Sequence, residues 1–429
     1  MKKGKKRMII GILLLSFLMG QPVWAAVQNG EKYDIATNEI SGWPKGPEIY
    51  SETGVLMEAE TGTVLYDSGK DETRYPASIT KVMTTLLALE NSSLDEEVTF
   101  TQTGLERIYE GTNINMQVGE VLTMEQCLYA VMIKSANEVA AQVAEHVGGT
   151  QEKFVEMMNE RAQELGCTNT NFANPSGLPD ENHWTTANDM ALIFREALKN
   201  EEFVKIIGTL SYTIEPTNMN PEPRTLTSHH ALLVPSAPEH YDGCIGGKTG
   251  VTEAAKNTLV TAAKRDGMTL IAVVMRADPG QVCADTTALF DYGFSQFEMT
   301  PVEGGEVPVP KGATEDDLDV TEVEGEGGMM RTYSFGDYTV GMTAVSAEEL
   351  KQQEEEKQRQ DQEEKEARAQ AEQEQKDAAK TAKEQEMTDH YRTIIRVMGV
   401  LILVLLIVIV IRAIYNGVRR KKRRRRKKR

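Results

Sequence analysis

Apolar residues change rhythm several times along this chain, and each rhythm predicts a different kind of element. A short apolar run, residues 8–19, follows a basic N-terminus. Two strand-like runs, 54–59 and 63–68, flank the turn signal Thr61-Gly62, so a hairpin is predicted. Ile79, Val82, Met83, Leu86 and Leu87 then fall at helical spacing, with Pro76 at the start, where a missing N–H costs little. Residues 124–147 hold a helical face through Leu128, Val131 and Met132. They break at 134–137 and resume with Val139, Ala140, Val143 and Ala144. Helices are also predicted over 151–165, 188–198 (capped by Thr186) and 285–294. Residues 241–250 read as a glycine-rich strand, followed by strands 258–263 and 268–275 with Asp266-Gly267 as a hairpin turn.

Beyond residue 297, short alternating runs with Gly and Pro turns predict a small β-rich domain over 298–345. From 346 to 390 apolar positions nearly vanish. This stretch opens on a capping box, Ser346 to Glu349, and contains neither Gly nor Pro up to Asp389. Opposite charges recur at helical spacing: Glu355 with Arg359, Asp361 with Lys365, Glu364 with Arg368, Glu372 with Lys376. No apolar seam runs through it, which disfavours a coiled coil. The reading is a solvated helical stalk, on the order of 60 Å long at 1.5 Å per residue, with partial disorder as the alternative. Residues 397–411 are uninterruptedly apolar. Extended to 393–415 they span a bilayer, with Arg396 and Arg412 snorkelling to its two surfaces. The tail, 416–429, is basic, and the positive-inside rule places it in the cytoplasm against anionic lipid.

The N-terminus completes that topology. Lys2, Lys3, Lys5, Lys6 and Arg7 precede the first apolar run, and Val23 and Ala25 provide a small-residue cleavage pair. Residues 1–25 thus read as a secretory signal peptide, with an uncleaved anchor as the alternative, and 26–50 as a lead-in. Either way the body is exported and tethered to the membrane by a single C-terminal pass, with the stalk holding it at a distance.

Charge changes the picture in one respect. The formal net charge is −18. Without the sixteen basic residues at the two ends, 31 basic face 65 acidic residues, and a body that acidic argues against nucleic-acid binding. The four cysteines, Cys127, Cys167, Cys244 and Cys283, are widely spaced with no C-x-x-C, so no metal is expected, and no cofactor either. Their pairing is left open.

The candidate chemistry starts in the helix after Pro76. Ser78 and Lys81 are three apart and share a helix face, so the amine can reach the hydroxyl. A serine hydroxyl needs a base to become a nucleophile. A lysine serves as one when burial or a neighbouring cation lowers its pKa. The plain alternative is an N-cap and a solvated lysine. Ser135-Ala136-Asn137, at the break in the second helix, can present two polar side chains from a loop, or simply be a helix break. Lys248-Thr249-Gly250 can present a cation and a hydroxyl from a sheet edge, or be an edge lysine that deters aggregation. His183, alone in a turn-rich loop, reads more readily as a structural hydrogen-bonder than as a base.

Together, Ser78-Ile-Thr-Lys81, Ser135-Ala-Asn137 and Lys248-Thr-Gly250 form the S-x-x-K, S-x-N, K-T-G set of the penicillin-binding serine enzymes. With the segments 76–84, 174–178 and 248–255, the chain resembles the D-alanyl-D-alanine carboxypeptidases, the low-molecular-mass penicillin-binding proteins, over roughly residues 50–297. The resemblance implies an α+β fold of the β-lactamase/transpeptidase type, an antiparallel sheet flanked by helices, over 51–297. It implies that Ser78 attacks the D-Ala-D-Ala carbonyl of a peptidoglycan stem pentapeptide and that Lys81 moves protons. Ser135 would relay a proton to the leaving amine, and Asn137 would bind the stem backbone. Lys248 and Thr249 would hold the terminal carboxylate, and the N–H groups of Ser78 and Val251 would form the oxyanion hole. β-Lactam antibiotics would acylate Ser78 in the same way.

Two features depart from the family pattern. An arginine well beyond the Lys-Thr-Gly strand aids carboxylate binding in many relatives; here only Arg276 is near, in an early register. The stalk, span and basic tail replace an interfacial helix. Competing readings are a β-lactamase, disfavoured because no E-x-x-L-N segment occurs, a D,D-endopeptidase using the same residues, and a non-catalytic cell-wall scaffold.

Overall fold

A computed structural model describes residues 30–106, 111–325 and 328–426. The signal-peptide reading of residues 1–25 lies outside the described residues. Contacts divide the chain into two units, one ending at Val345 and one beginning at Ser346.

The first unit is built on a five-stranded antiparallel sheet. Its spatial order is Val64–Ser68, Thr53–Glu58, Met268–Ala277, Lys256–Arg265 and Cys244–Thr252. Side chains alternate across a strand, and here both faces are buried. Val55, Met57, Ile271, Val273 and Met275 join the core beneath the helical layer, which includes Lys81–Asn91 and Ala187–Ala197. Leu56, Leu270, Ala272 and Val274 face the opposite way, against Leu289 and Phe290 of helix Gln281–Gln296. That helix starts earlier than residue 285, directly after Gly280, whose φ of +82° suits glycine.

The lead-in and the segments after residue 297 share this second core. Ile35 and Trp43 lie in it, with Val307, Val309, Tyr333 and Val340. Trp43 stands 4.9 Å from the Phe297 ring and 5.0 Å from Tyr338. The buried Asp285 carboxylate accepts hydrogen bonds from the Tyr50 and Ser51 amides and the Ser51 hydroxyl. Small sheets follow: Phe297–Val302 with Gly305–Pro310, then Leu318–Gly325, Gly328–Phe335 and Tyr338–Ser346.

The break expected at 134–137 takes a defined form. Helix Met124–Tyr129 ends in a π-turn, Ala130–Lys134. Ser135 then adopts a left-handed conformation (φ +63°), and helix Asn137–Gly148 begins. The wider turn shifts the phase of the chain, and Ser135 and Ala136 separate the two helices.

The second unit is one helix, Ala347–Arg426. Glu364 and Arg368 pair at 2.7 Å, as their spacing predicts. Arg359 pairs with Glu356, three residues back. This helix contains an apolar stretch long enough to cross a membrane.

Candidate active site

Ser78 sits in a 3-10 turn, Ala77–Thr80, that leads directly into helix Lys81–Asn91. Ala77 has φ +50°, a conformation that costs a non-glycine residue of order 1 kcal/mol or more and needs outside support. Several contacts supply it. Thr258 Oγ1 donates to Pro76 O at 2.8 Å, and Thr80 Oγ1 donates to Ala77 O at 2.8 Å. Gly177 presses on the same carbonyl so closely that a Cβ there would lie 1.8 Å from Ala77 O.

His183 completes this support. Its Nδ1 accepts from the Ala173 amide at 3.1 Å, so its Nε2 carries the proton and donates to Thr80 Oγ1 at 2.8 Å. Thr80 can then spend its own proton on Ala77 O. Burial holds the His183 pKa down to about 3, so the ring is neutral. The structural reading of this histidine is the one its geometry supports.

Lys81 is fully buried. Its Nζ lies 3.1 Å from Ser78 Oγ, 2.6 Å from Asn137 Oδ1 and 2.5 Å from Ser176 O. Burial first, and then the charge of Lys248, push its pKa well below the ordinary lysine value, while Glu138 pulls the other way. A neutral amine has two N–H bonds and one lone pair. In that neutral form, with the two carbonyl oxygens accepting the N–H bonds, the lone pair is left for the serine hydroxyl. That is the arrangement of a general base.

The other predicted residues come from two further segments. Ser135 and the residues Lys248 and Thr249 line one small cavity with His229 and His230. Lys248 is 3% exposed, donates to Thr249 O at 2.8 Å, and is held by burial at a pKa of about 7. The strand carrying it meets the serine turn closely: a Cβ on Gly250 would lie 2.9 Å from Ser78 N and 3.0 Å from Pro76 O. Only glycine permits that approach. Val251, the next residue, is exposed on this edge strand. Arg276 lies elsewhere in the electrostatics: its guanidinium pairs with Glu52 at 3.4 Å, and Glu52 also pairs with the buried Arg74 at 3.0 Å.

Two groups at this site escape a reading of residue types. Ser176 acts through its backbone oxygen, which no side chain advertises. Glu138, buried behind Asn137, reads in sequence as an ordinary first-turn acid of a helix.

The part of the chain that carries these residues is similar to known proteins. A D-alanyl-D-alanine carboxypeptidase family profile matches residues 41–279. D-alanyl-D-alanine carboxypeptidase DacF of Bacillus subtilis is 35% identical over 309 residues, covering 70% of this chain and 73% of that protein. DacB2 of Mycobacterium tuberculosis, of the same description, is 34% identical over 59% of this chain and 84% of its own length. The crystal structure of a Streptomyces DD-transpeptidase superposes with a TM-score of 0.55 at 30% identity, covering 59% of this chain and all of that one.

Proposed function

The chain belongs to the D-alanyl-D-alanine carboxypeptidase family, and from that premise we propose how its own residues carry the reaction. It is a serine-type D-Ala-D-Ala carboxypeptidase acting on peptidoglycan. Ser78 is the nucleophile. Lys81 takes its proton as Oγ bonds to the carbonyl carbon of the penultimate D-alanine. The oxyanion of the tetrahedral intermediate accepts from the backbone N–H groups of Ser78 and Val251. Ser135 gives its proton to the departing amine and receives in turn the proton held by Lys81, the C–N bond breaks, D-alanine leaves, and Lys81 is neutral again. Lys248 and Thr249 hold the terminal carboxylate of the substrate, and Asn137 holds both the stem backbone and the Lys81 amine. Water then attacks the ester, with Lys81 again as base, and Ser78 recovers its proton.

The observation that carries this reading is the Lys81 amine: wholly buried, with two carbonyl acceptors, and turned to Ser78 Oγ at 3.1 Å. β-Lactams acylate Ser78 by the same attack, the amine leaving group staying tethered. The apolar C-terminal helix anchors the enzyme in the membrane, with the basic tail on the cytoplasmic side and the catalytic unit exported.

The test is incubation with a pentapeptide muropeptide and mass analysis of the product. Loss of one alanine with the wild-type protein and no loss with Ser78→Ala is the expected result. An unchanged pentapeptide with the wild-type protein overturns the reading.

A further inference from the structure

The mechanism above leaves one buried ionisable group beside the site unused. Glu138 is 2% exposed and opens helix Asn137–Gly148, directly after the asparagine that binds Lys81. Its Oε1 accepts a 2.6 Å hydrogen bond from the Ile114 amide. The neighbouring Asn137 amide donates to Thr112 O at 2.8 Å. Residues 112–114 are therefore clipped at both ends of the Asn137–Glu138 peptide. Gly111 lies over the Asn137 side chain, where a Cβ would fall 2.6 Å from Nδ2. Movement of the clipped segment would move the Asn137 amide, and with it one of the two acceptors that orient the Lys81 lone pair.

The other carboxylate oxygen is not absorbed by the clip. Oε2 of Glu138 is buried and makes no hydrogen bond among the described residues. Glu138 and Asn137, with Asn174 and Ser176, line a cavity of about 60 Å³ behind the lysine. A carboxylate left with an unpaired oxygen in a low-dielectric interior is expensive to keep. Gln142, one turn along the same helix, shows that an amide can be accommodated nearby: its Oε1 accepts from the Thr101 amide at 2.8 Å. A clip alone would need no charge.

We propose that Glu138 is a positioning residue for the carboxypeptidase reaction: it clamps segment 111–114 onto Asn137 and sets the charge felt by the Lys81 amine. The inference rests on Lys81 being the base. The charged and titratable groups facing the pair are Glu106, across the cavity from Glu138, and Lys248, which acts on Lys81 from the edge strand; His183, on the other loop beside Lys81, is neutral. An anion favours the protonated form of a nearby amine. Burial raises the Glu138 pKa, and backbone N–H groups of Ile114, Glu138, Met116 and Val139 pull it back down; in its ionised form Glu138 offsets part of the depression that burial and Lys248 impose on Lys81.

Two variants separate the clamp from the charge. Glu138→Gln keeps an acceptor for the Ile114 amide and removes the charge. Glu138→Asp keeps the charge and shortens the reach. For each, kcat and KM for D-alanine release are measured across pH. With Glu138→Gln the acid limb of kcat/KM should move to lower pH, because the lysine loses its proton more readily. With Glu138→Asp the limb should stay in place while kcat falls on the order of tenfold and KM changes little. Identical pH profiles for wild type and Glu138→Gln overturn the charge role, and an undiminished kcat for Glu138→Asp overturns the clamp. If Glu138→Gln does not fold, the Glu138→Asp profile alone decides: a displaced acid limb with unchanged kcat refutes the proposal. A wild-type protein that releases no D-alanine at any pH counts against the enzymatic reading itself and is distinguishable from all of these.

Discussion

The side-chain oxygen of Asn137 lies 2.6 Å from the amine of Lys81, across 56 positions of chain. That contact ties the break in the second helix to the serine turn. It gives Asn137 a duty toward the Lys81 amine in addition to the substrate role proposed for it. Replacing it by aspartate should put an anion against the amine and raise the lysine pKa. The acid limb of kcat/KM should then move to higher pH, opposite to the shift expected for Glu138→Gln. A pH–rate profile on a small D-Ala-D-Ala peptide checks the sign.

Ser78→Ala should abolish covalent penicillin labelling and reduce D-alanine release to background. Lys81→Ala should lower both by about a thousandfold or more, since nucleophile and base act as a unit and their losses do not add. Intact-mass measurement after exposure to penicillin reads the adduct directly. Labelling that survives Ser78→Ala would move the nucleophile elsewhere.

Gly177→Ala tests the support under the nucleophile. The position has φ +83°, and a Cβ would meet Ala77 O at 1.8 Å. The methyl group must displace the carbonyl that precedes Ser78, so acylation by penicillin should slow by about a hundredfold or more, the scale set by a misplaced reacting group. Stopped-flow acylation rates, compared with Gly267→Ala, where nothing lies within 4 Å, separate local displacement from backbone strain alone.

Lys248 should reveal the cost of burying a cation. Its pKa stands at about 7 in the folded protein against 10.5 for the free side chain. The unfolded chain therefore binds the extra proton between those values, and stability attributable to this residue rises with pH across that window. Below about pH 7 the full penalty applies, and above 10.5 it is gone. Lys248→Met should be more stable than wild type by a few kcal/mol near pH 7, with the gap closing toward pH 10, while KM for the carboxylate-terminated substrate rises. Thermal unfolding of both proteins at pH 7 and 9.5 gives the comparison.

His183 makes the corresponding case for acid. Its pKa is depressed to about 3 from 6.5. Its neutral form is fully accommodated above pH 6.5, and the stability it contributes is lost as pH falls from 6.5 toward 3, because only the unfolded chain takes up the proton. His183→Gln should flatten that acid-side decline in unfolding free energy. The acid limb of the rate should be less affected than by changes at Glu138 or Asn137.

Residue order alone was enough to predict the serine helix, the interrupted helix around residue 135, the hairpin at Asp266-Gly267 and the apolar span. Each is encoded locally, by side-chain period, turn chemistry or length. The resemblance carried by three short motifs pointed to the family before any contact was known. What tertiary structure alone decided is the condition of the Lys81 amine. Ser78 and Lys81 are three residues apart, but the amine's acceptors lie 56 and 95 residues away, and one is a backbone oxygen that every residue possesses. The depressed pKa of Lys81 comes from burial and from Lys248, neither of which is a property of the residues next to it. Likewise the left-handed Ser135 follows from a π-turn, and the +50° φ of Ala77 is held by Gly177, a hundred residues on. Spacing along a helix can place two groups within reach; only the packed interior can take away the water that would otherwise keep the amine protonated.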